Sequence, residues 1–170
     1  SDAARRAIGS EQISIALIDP SEQYLDFFQE LMGPVHQDLP EAKIDLDEGI
    51  AGWVAAHGEP VIVNDVYSDD RFYKGFDALT GSQTKSILCV PLTIEGRVIG
   101  ILEAINKIRG EFDAGDLRLL QAITGPLAIA IQNARLHNRV VAEKRRVETI
   151  FASMSEGMLT ADRDGVITAA

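Results

Sequence analysis

The segment that most constrains this chain runs from Ser86 to Asn106. Two runs crowded with Val, Ile and Leu, Ser86–Ile94 and Arg97–Asn106, are joined by the dipeptide Glu95-Gly96. That spacing closes an antiparallel hairpin, and apolar residues along both arms mark central strands covered on both faces. A second hairpin precedes it: Gln12–Ile18 alternates as a strand, Asp19-Pro20-Ser21-Glu22 supplies turn chemistry, and Tyr24–Leu31 returns. Lys43–Leu46 and Pro60–Asn64 read as further short strands. Between them Gly49–His57 reads as a helix entered through Asp47-Glu48-Gly49 and closed by Gly58. Asp2–Ile8 reads as the tail of a helix capped by Gly9. Asp69–Leu79 is a polar loop with a helical patch, ended by Thr80-Gly81, the pattern of a segment that covers a ligand.

From Asp113 the apolar period changes to that of a helix, through Leu117, Leu120, Ile123, Leu127 and Ile131, with no strong breaker after Pro126 until Gly157. Such a helix outgrows one domain. Leu136, Val140, Val147, Ile150 and Met154 fall on heptad spacing with Glu143 as the one polar insertion, which fits a parallel two-stranded coiled coil; a helix packed along its own domain is the alternative. Lys144, Arg145 and Arg146 face water on this reading. Met158–Ala161, a turn at Asp162–Gly165 and Val166–Thr168 are two short strands that cannot bury a core alone, so Ile150–Ala170 reads as the beginning of another domain.

Composition removes several classes of function. At 170 residues and 46% hydrophobic the chain has room for one buried core of ordinary size. Sixteen Lys and Arg against 26 Asp and Glu leave a formal charge of −10, which repels nucleic acid and anionic membrane surfaces. Cys89 is the single cysteine, so neither an internal disulfide nor a Cys-rich zinc site can form. The longest apolar-leaning stretch, Ile123–Ile131, is too short to span a bilayer, and Ser1–Arg6 is not followed by a signal-peptide core. His36, His57 and His137 are scattered away from metal-ligand spacing, and no nucleophile-elbow string occurs. Neither a catalytic site nor a metal site is expected.

Three strings carry a family likeness: Gly49-Ile50-Ala51-Gly52-Trp53-Val54, Ser86-Ile87-Leu88-Cys89-Val90-Pro91-Leu92, and Gly100-Ile101-Leu102-Glu103-Ala104-Ile105-Asn106-Lys107. With the first hairpin they make Ile8–Asn138 resemble a GAF domain. The resemblance implies an α+β fold, a six-stranded antiparallel sheet flanked by helices with a long C-terminal signalling helix. It also implies a cytoplasmic, homodimeric sensor without enzymatic activity of its own. The implied organisation is a GAF domain over 1–138, a coiled-coil linker helix over 139–154 and the start of a PAS domain over 155–170. The unseen output would be a cyclase, histidine kinase or diguanylate cyclase.

Phe72-Tyr73-Lys74-Gly75-Phe76-Asp77, then Thr80-Gly81 and Thr84, is similar to the segment that closes over the nucleotide in the GAF domains of cyclic-nucleotide phosphodiesterases and adenylyl cyclases. Asn106, Lys107, Phe112 and Asp116 match a further motif of those domains, with Leu117 in place of its final Glu; a Lys107–Asp116 ion pair would be mainly structural. The resemblance implies no covalent cofactor and a cyclic nucleotide, cyclic AMP or cyclic GMP, as ligand. Phe28 would stack on the purine, beside Ser14 on the adjacent strand. Gln29 stands where a guanine-binding relative has Asp, so the base is left open. Ile50 and Ala51 would offer backbone groups at a helix start, while Tyr73, Asp77, Thr80, Thr84 and Glu103 would line the rest.

The chemistry asked of such a site is a stacking surface, hydroxyl or amide partners and something electropositive. No cluster of basic residues occurs among the implied positions, so the anion falls to the N–H groups at helix starts, with Arg71 or Lys74 as possible helpers. Phe28 could equally be plain core, and Thr80 and Thr84 turn residues. Glu103 resists such a reading, because a carboxylate amid Ile101, Leu102, Ala104 and Ile105 should be paired or ligand-facing. The competing functions are a GAF sensor of another small molecule or haem, and a ligand-free dimerisation module.

Overall fold

The computed structural model describes residues 2–27, 43–46, 48–75, 77, 83–156, 160–161 and 167–168. They form two compact units, Ser1–Ile129 and Ala130–Ala170.

In the first unit α1 (Asp2–Ile8) leads into β1 (Ser10–Ile18), β2 (Tyr24–Phe27), β3 (Lys43–Asp45), α2 (Gly49–His57), β4 (Val61–Val63), a 3-10 turn at Val66–Ser68, β5 (Ile87–Ile94) and β6 (Arg97–Lys107). The strands make one antiparallel sheet in the order β3-β2-β1-β6-β5-β4. The β5–β6 hairpin expected from the sequence lies near its centre. Its turn holds Glu95 at φ 51° and Gly96 at φ 80°, the double left-handed geometry that matches strand twist. Between β1 and β2, Asp19 accepts hydrogen bonds from Ser21 Oγ and from the amides of Ser21, Gln23 and Tyr24. These donors, Ser21 Oγ first, hold its carboxyl far below the usual carboxylate range.

The pleat sorts side chains by parity. Leu25, Phe27, Ile44, Ala16, Ile101, Cys89, Ile87 and Val63 share one face, and Ile50, Ala51, Val54 and Ala55 of α2 close over it as the core. Close approach of α2 needs Gly52, because a Cβ there would lie 2.9 Å from the carbonyl oxygens of both Asp45 and Leu46. Ile13, Ile15, Leu17, Leu88, Val90, Leu92, Leu102 and Ala104 are buried on the opposite parity, as is Ile8 of α1, which packs on β1 and β6. Each fully buried Ile, Leu or Val contributes about 1.5–3 kcal/mol.

The closing helix, α3, spans Ala114–Glu156 without a break at Pro126. Asp113 starts it by accepting from the amides of Gly115 and Asp116, while its own amide donates back to Asp116 Oδ2. Leu120 and Ala128 are buried. In the second unit Leu136, Val140 and Val147 of the expected heptad are 53%, 67% and 42% exposed, and β7 (Thr160–Ala161) pairs with β8 (Ile167–Thr168). Among the described residues no helix is long and apolar enough to cross a membrane.

Candidate functional site

The site starts from one rung of the sheet. Ser14 of β1, Glu103 of β6 and Cys89 of β5 are direct cross-strand partners, so period-2 geometry brings their side chains together on the α2 face. Ser14 Oγ donates to Glu103 Oε2 at 2.9 Å, and the Cys89 thiol donates to the same carboxyl. Burial raises the Glu103 pKa from 4.5 to about 7, and the two donors only partly offset it. Burial first, then the neighbouring Glu103, pushes the Cys89 thiol well up, so it is inert as a nucleophile at neutral pH.

Above Glu103 lies a small pocket, a cavity of about 40 Å³ that opens to solvent. Phe27, Ile44, Ile87 and Ile105 furnish its apolar floor, and Phe72 and Tyr73 its opposite side. Gly49, Ile50 and Ala51 line one end. The first backbone bond into α2 runs from the Gly52 amide to the Glu48 carbonyl at 3.2 Å, so the three preceding amides are those that an α-helix leaves without intrahelical partners. Glu48, the N-cap, makes no side-chain cap bond to them. An acceptor entering the pocket meets that end of the helix.

The cover is tied at both ends. Asp77 accepts from the Thr84 amide at 2.9 Å and from Thr84 Oγ1 at 2.6 Å, and Tyr67 donates to it at 3.4 Å. Asn106, at φ 56°, accepts from the amides of Lys85 and Ser86 and donates to Glu11 and to the Gln83 carbonyl, which anchors the chain where the cover re-enters β5. Arg71 lies 4.6 Å over the Trp53 ring and grips Asp69 through two nitrogens, an embrace that lowers the Asp69 pKa and raises that of Arg71. Lys74 sits 5.9 Å over Tyr67. Neither basic helper suggested by the sequence lines the pocket, since both are drawn to aromatic rings outside it.

Ile50, Ala51, Tyr73, Thr84 and Glu103, scattered over 54 positions of sequence, therefore converge on one pocket. Ser14 stands behind Glu103 and Asp77 behind Thr84. Phe28, Gln29 and Thr80 lie outside the described residues. Asn106, Lys107, Phe112 and Asp116 gather at the far end of β6: Lys107 Nζ bonds Asp116 at 2.6 and 2.7 Å and the Ile8 carbonyl, 5.6 Å over the Phe112 ring. Gly49, whose amide was expected among the helix-start donors, and Phe72, in the string expected to close over the ligand, also line the pocket. Sequence reasoning missed Phe27, Ile44, Ile87 and Ile105, which parity along β2, β3, β5 and β6 could have found had the register been known. Among the described residues no group of His, Cys, Asp and Glu could hold a metal ion.

Comparison with known proteins gives the fold a context. The GAF domain family profile matches residues 1–132. The chain is 30% identical over 145 residues to the probable 3′,5′-cyclic phosphodiesterase pde-5 of Caenorhabditis elegans, covering 81% of this chain and 20% of that protein. It is 44% identical over 99 residues to the dual 3′,5′-cyclic-AMP and -GMP phosphodiesterase 11A of Takifugu rubripes, covering 56% of this chain and 11% of that one. The chain spans a fifth or less of the length of these relatives. Among solved structures, the GAF domain of an Acinetobacter phosphoenolpyruvate-protein phosphotransferase superposes with a TM-score of 0.67 at 22% identity, covering 81% of this chain and 80% of that one, a likeness of fold.

Proposed function

The chain belongs to the GAF domain family, and from that premise we propose that its pocket binds a cyclic nucleotide, cyclic AMP or cyclic GMP, as a regulatory signal. The observation that carries this is the convergence of Ile50, Ala51, Tyr73, Thr84 and Glu103, all implied by the likeness to nucleotide-binding GAF domains, on one pocket beside the amide-rich start of α2. Phe27, Phe72 and Tyr73 suit a flat base, and the first amides of α2, which lack intrahelical partners, suit a phosphate, with Arg71 and Lys74 held over aromatic rings outside the pocket. Binding closes the Asp69–Thr84 cover. Because a ligand shifts an equilibrium only through differential affinity, the closed form must favour one of two arrangements of α3.

A cytoplasmic homodimer through α3 completes the reading, supported by exposed Leu136, Val140 and Val147 on heptad spacing. The β7–β8 pair is then the start of a PAS domain. Calorimetric titration with cyclic AMP and cyclic GMP tests the ligand: micromolar or tighter binding of at least one is expected, and binding of neither at high micromolar concentration removes the proposal. Phe72→Ala should weaken binding by about 1–3 kcal/mol through lost stacking. Sedimentation of Leu136→Glu/Val147→Glu tests the dimer, with a shift to monomer expected.

A second reading, a GAF sensor of another small molecule, is favoured by one observation. The single charged side chain on the pocket wall among the described residues is a carboxyl, which suits a ligand bearing an amine.

A further inference from the structure

Glu103 is 5% exposed, and no Lys, Arg or His lines the pocket with it among the described residues. Along the sheet it meets only donors, the Ser14 hydroxyl on β1 and the Cys89 thiol on β5. From the cover, the Tyr73 phenol shares the pocket, and Asp77 stands behind Thr84. The pocket-lining residues of α2, β2 and β3 bring no ionisable group, and Lys107 on the same strand is committed to Asp116. Glu103 itself lines the cavity.

An anion admitted to that space lies close to an ionised Glu103 unless the carboxyl is neutral. Two like charges in one poorly hydrated cavity drive the acid toward its protonated form. The carboxyl already titrates at about 7, so the proton is held at small cost at neutral pH. Resting on the cyclic-nucleotide reading and deepening it, we propose that Glu103 is the specificity-determining donor of the pocket: the ligand binds to its acid form, which offers O–H to an acceptor of the nucleotide, and binding takes up a proton. The proton comes from solvent and stays on the carboxyl, and no bond of the ligand is made or broken. A group that must itself donate, such as an amine, is disfavoured at this position.

Calorimetric titration of the full chain with cyclic AMP and cyclic GMP, from pH 6 to 8.5 in buffers of low and high ionisation enthalpy, tests this. Affinity should fall as pH rises above 7, approaching tenfold per unit, and the observed heat should vary with the buffer as up to one proton is taken up. Glu103→Gln keeps a donor and cannot ionise, so it should bind with a flat pH profile; the buffer dependence of the unaltered chain needs no variant. Affinity that is flat or rises with pH, or the same profile in Glu103→Gln, overturns the inference while leaving nucleotide binding standing. Binding of neither nucleotide even at pH 6 overturns the reading of the pocket and the inference together.

Discussion

Glu103 and Lys107 lie four residues apart on β6, both largely buried, yet their surroundings differ in kind. Lys107 has a carboxylate at 2.6 Å, a backbone carbonyl and an aromatic ring, so its charge is met on several sides. Glu103 has a hydroxyl, a thiol and an open pocket, with no cation among the described residues. A buried charge with a counterion stitches elements together, here α1, β6 and the start of α3. A buried acid without one is costly to keep, and its cost is the reason to look for a ligand there.

The contrast can be broken from either end. Asp116→Asn leaves Lys107 charged and without its counterion, and should lower unfolding free energy by about 3 kcal/mol in denaturant titration while leaving the pocket's titration untouched. At Glu103 the folded pKa of about 7 exceeds the unfolded value of 4.5, so the folded state keeps a proton that the unfolded chain has lost. That stabilisation is complete below pH 4.5 and is lost as pH rises through 7. Between pH 5 and 8 the unaltered chain should therefore lose about 2.5 kcal/mol more stability than Glu103→Gln, measured by denaturation at both pH values. Thr84→Val removes the hydroxyl tie to Asp77 and should cost about 1.5 kcal/mol, with faster hydrogen exchange at the amides of residues 83–85. Arg71→Ala, which releases Asp69 and the Trp53 face outside the pocket, should cost only about 0.5–1 kcal/mol and leave ligand affinity unchanged.

Much of this was legible beforehand because local chemistry carried it. Gly58 ends α2 at φ 69° and Gly9 follows α1 at φ 67°, as their positions after apolar helical runs imply. Glu95-Gly96 closes the central hairpin, and the helical period from Asp113 became a helix of 43 residues. Arg71 shows where such reasoning stops. Its charge pointed to a phosphate, but a carboxylate two residues away and the ring of Trp53 claim it first, a competition that only three-dimensional proximity decides. The apolar wall of the pocket was missed for a related reason: Phe27, Ile87 and Ile105 read as ordinary strand residues until the register of four strands is known.

By itself the sequence determined the elements, their caps and turns, the parity of each strand and the presence of a carboxylate in an apolar run, because these depend on neighbours along the chain. Tertiary structure decided that Ser14 and Cys89 flank that carboxylate, that Asp69 and Trp53 rather than the pocket hold the Arg71 charge, and that the start of α2 opens beside Glu103. Those outcomes depend on which distant residues the sheet brings within a few ångströms, and at that range burial and pairing, not residue type, set whether a charge is structural or poised for a ligand.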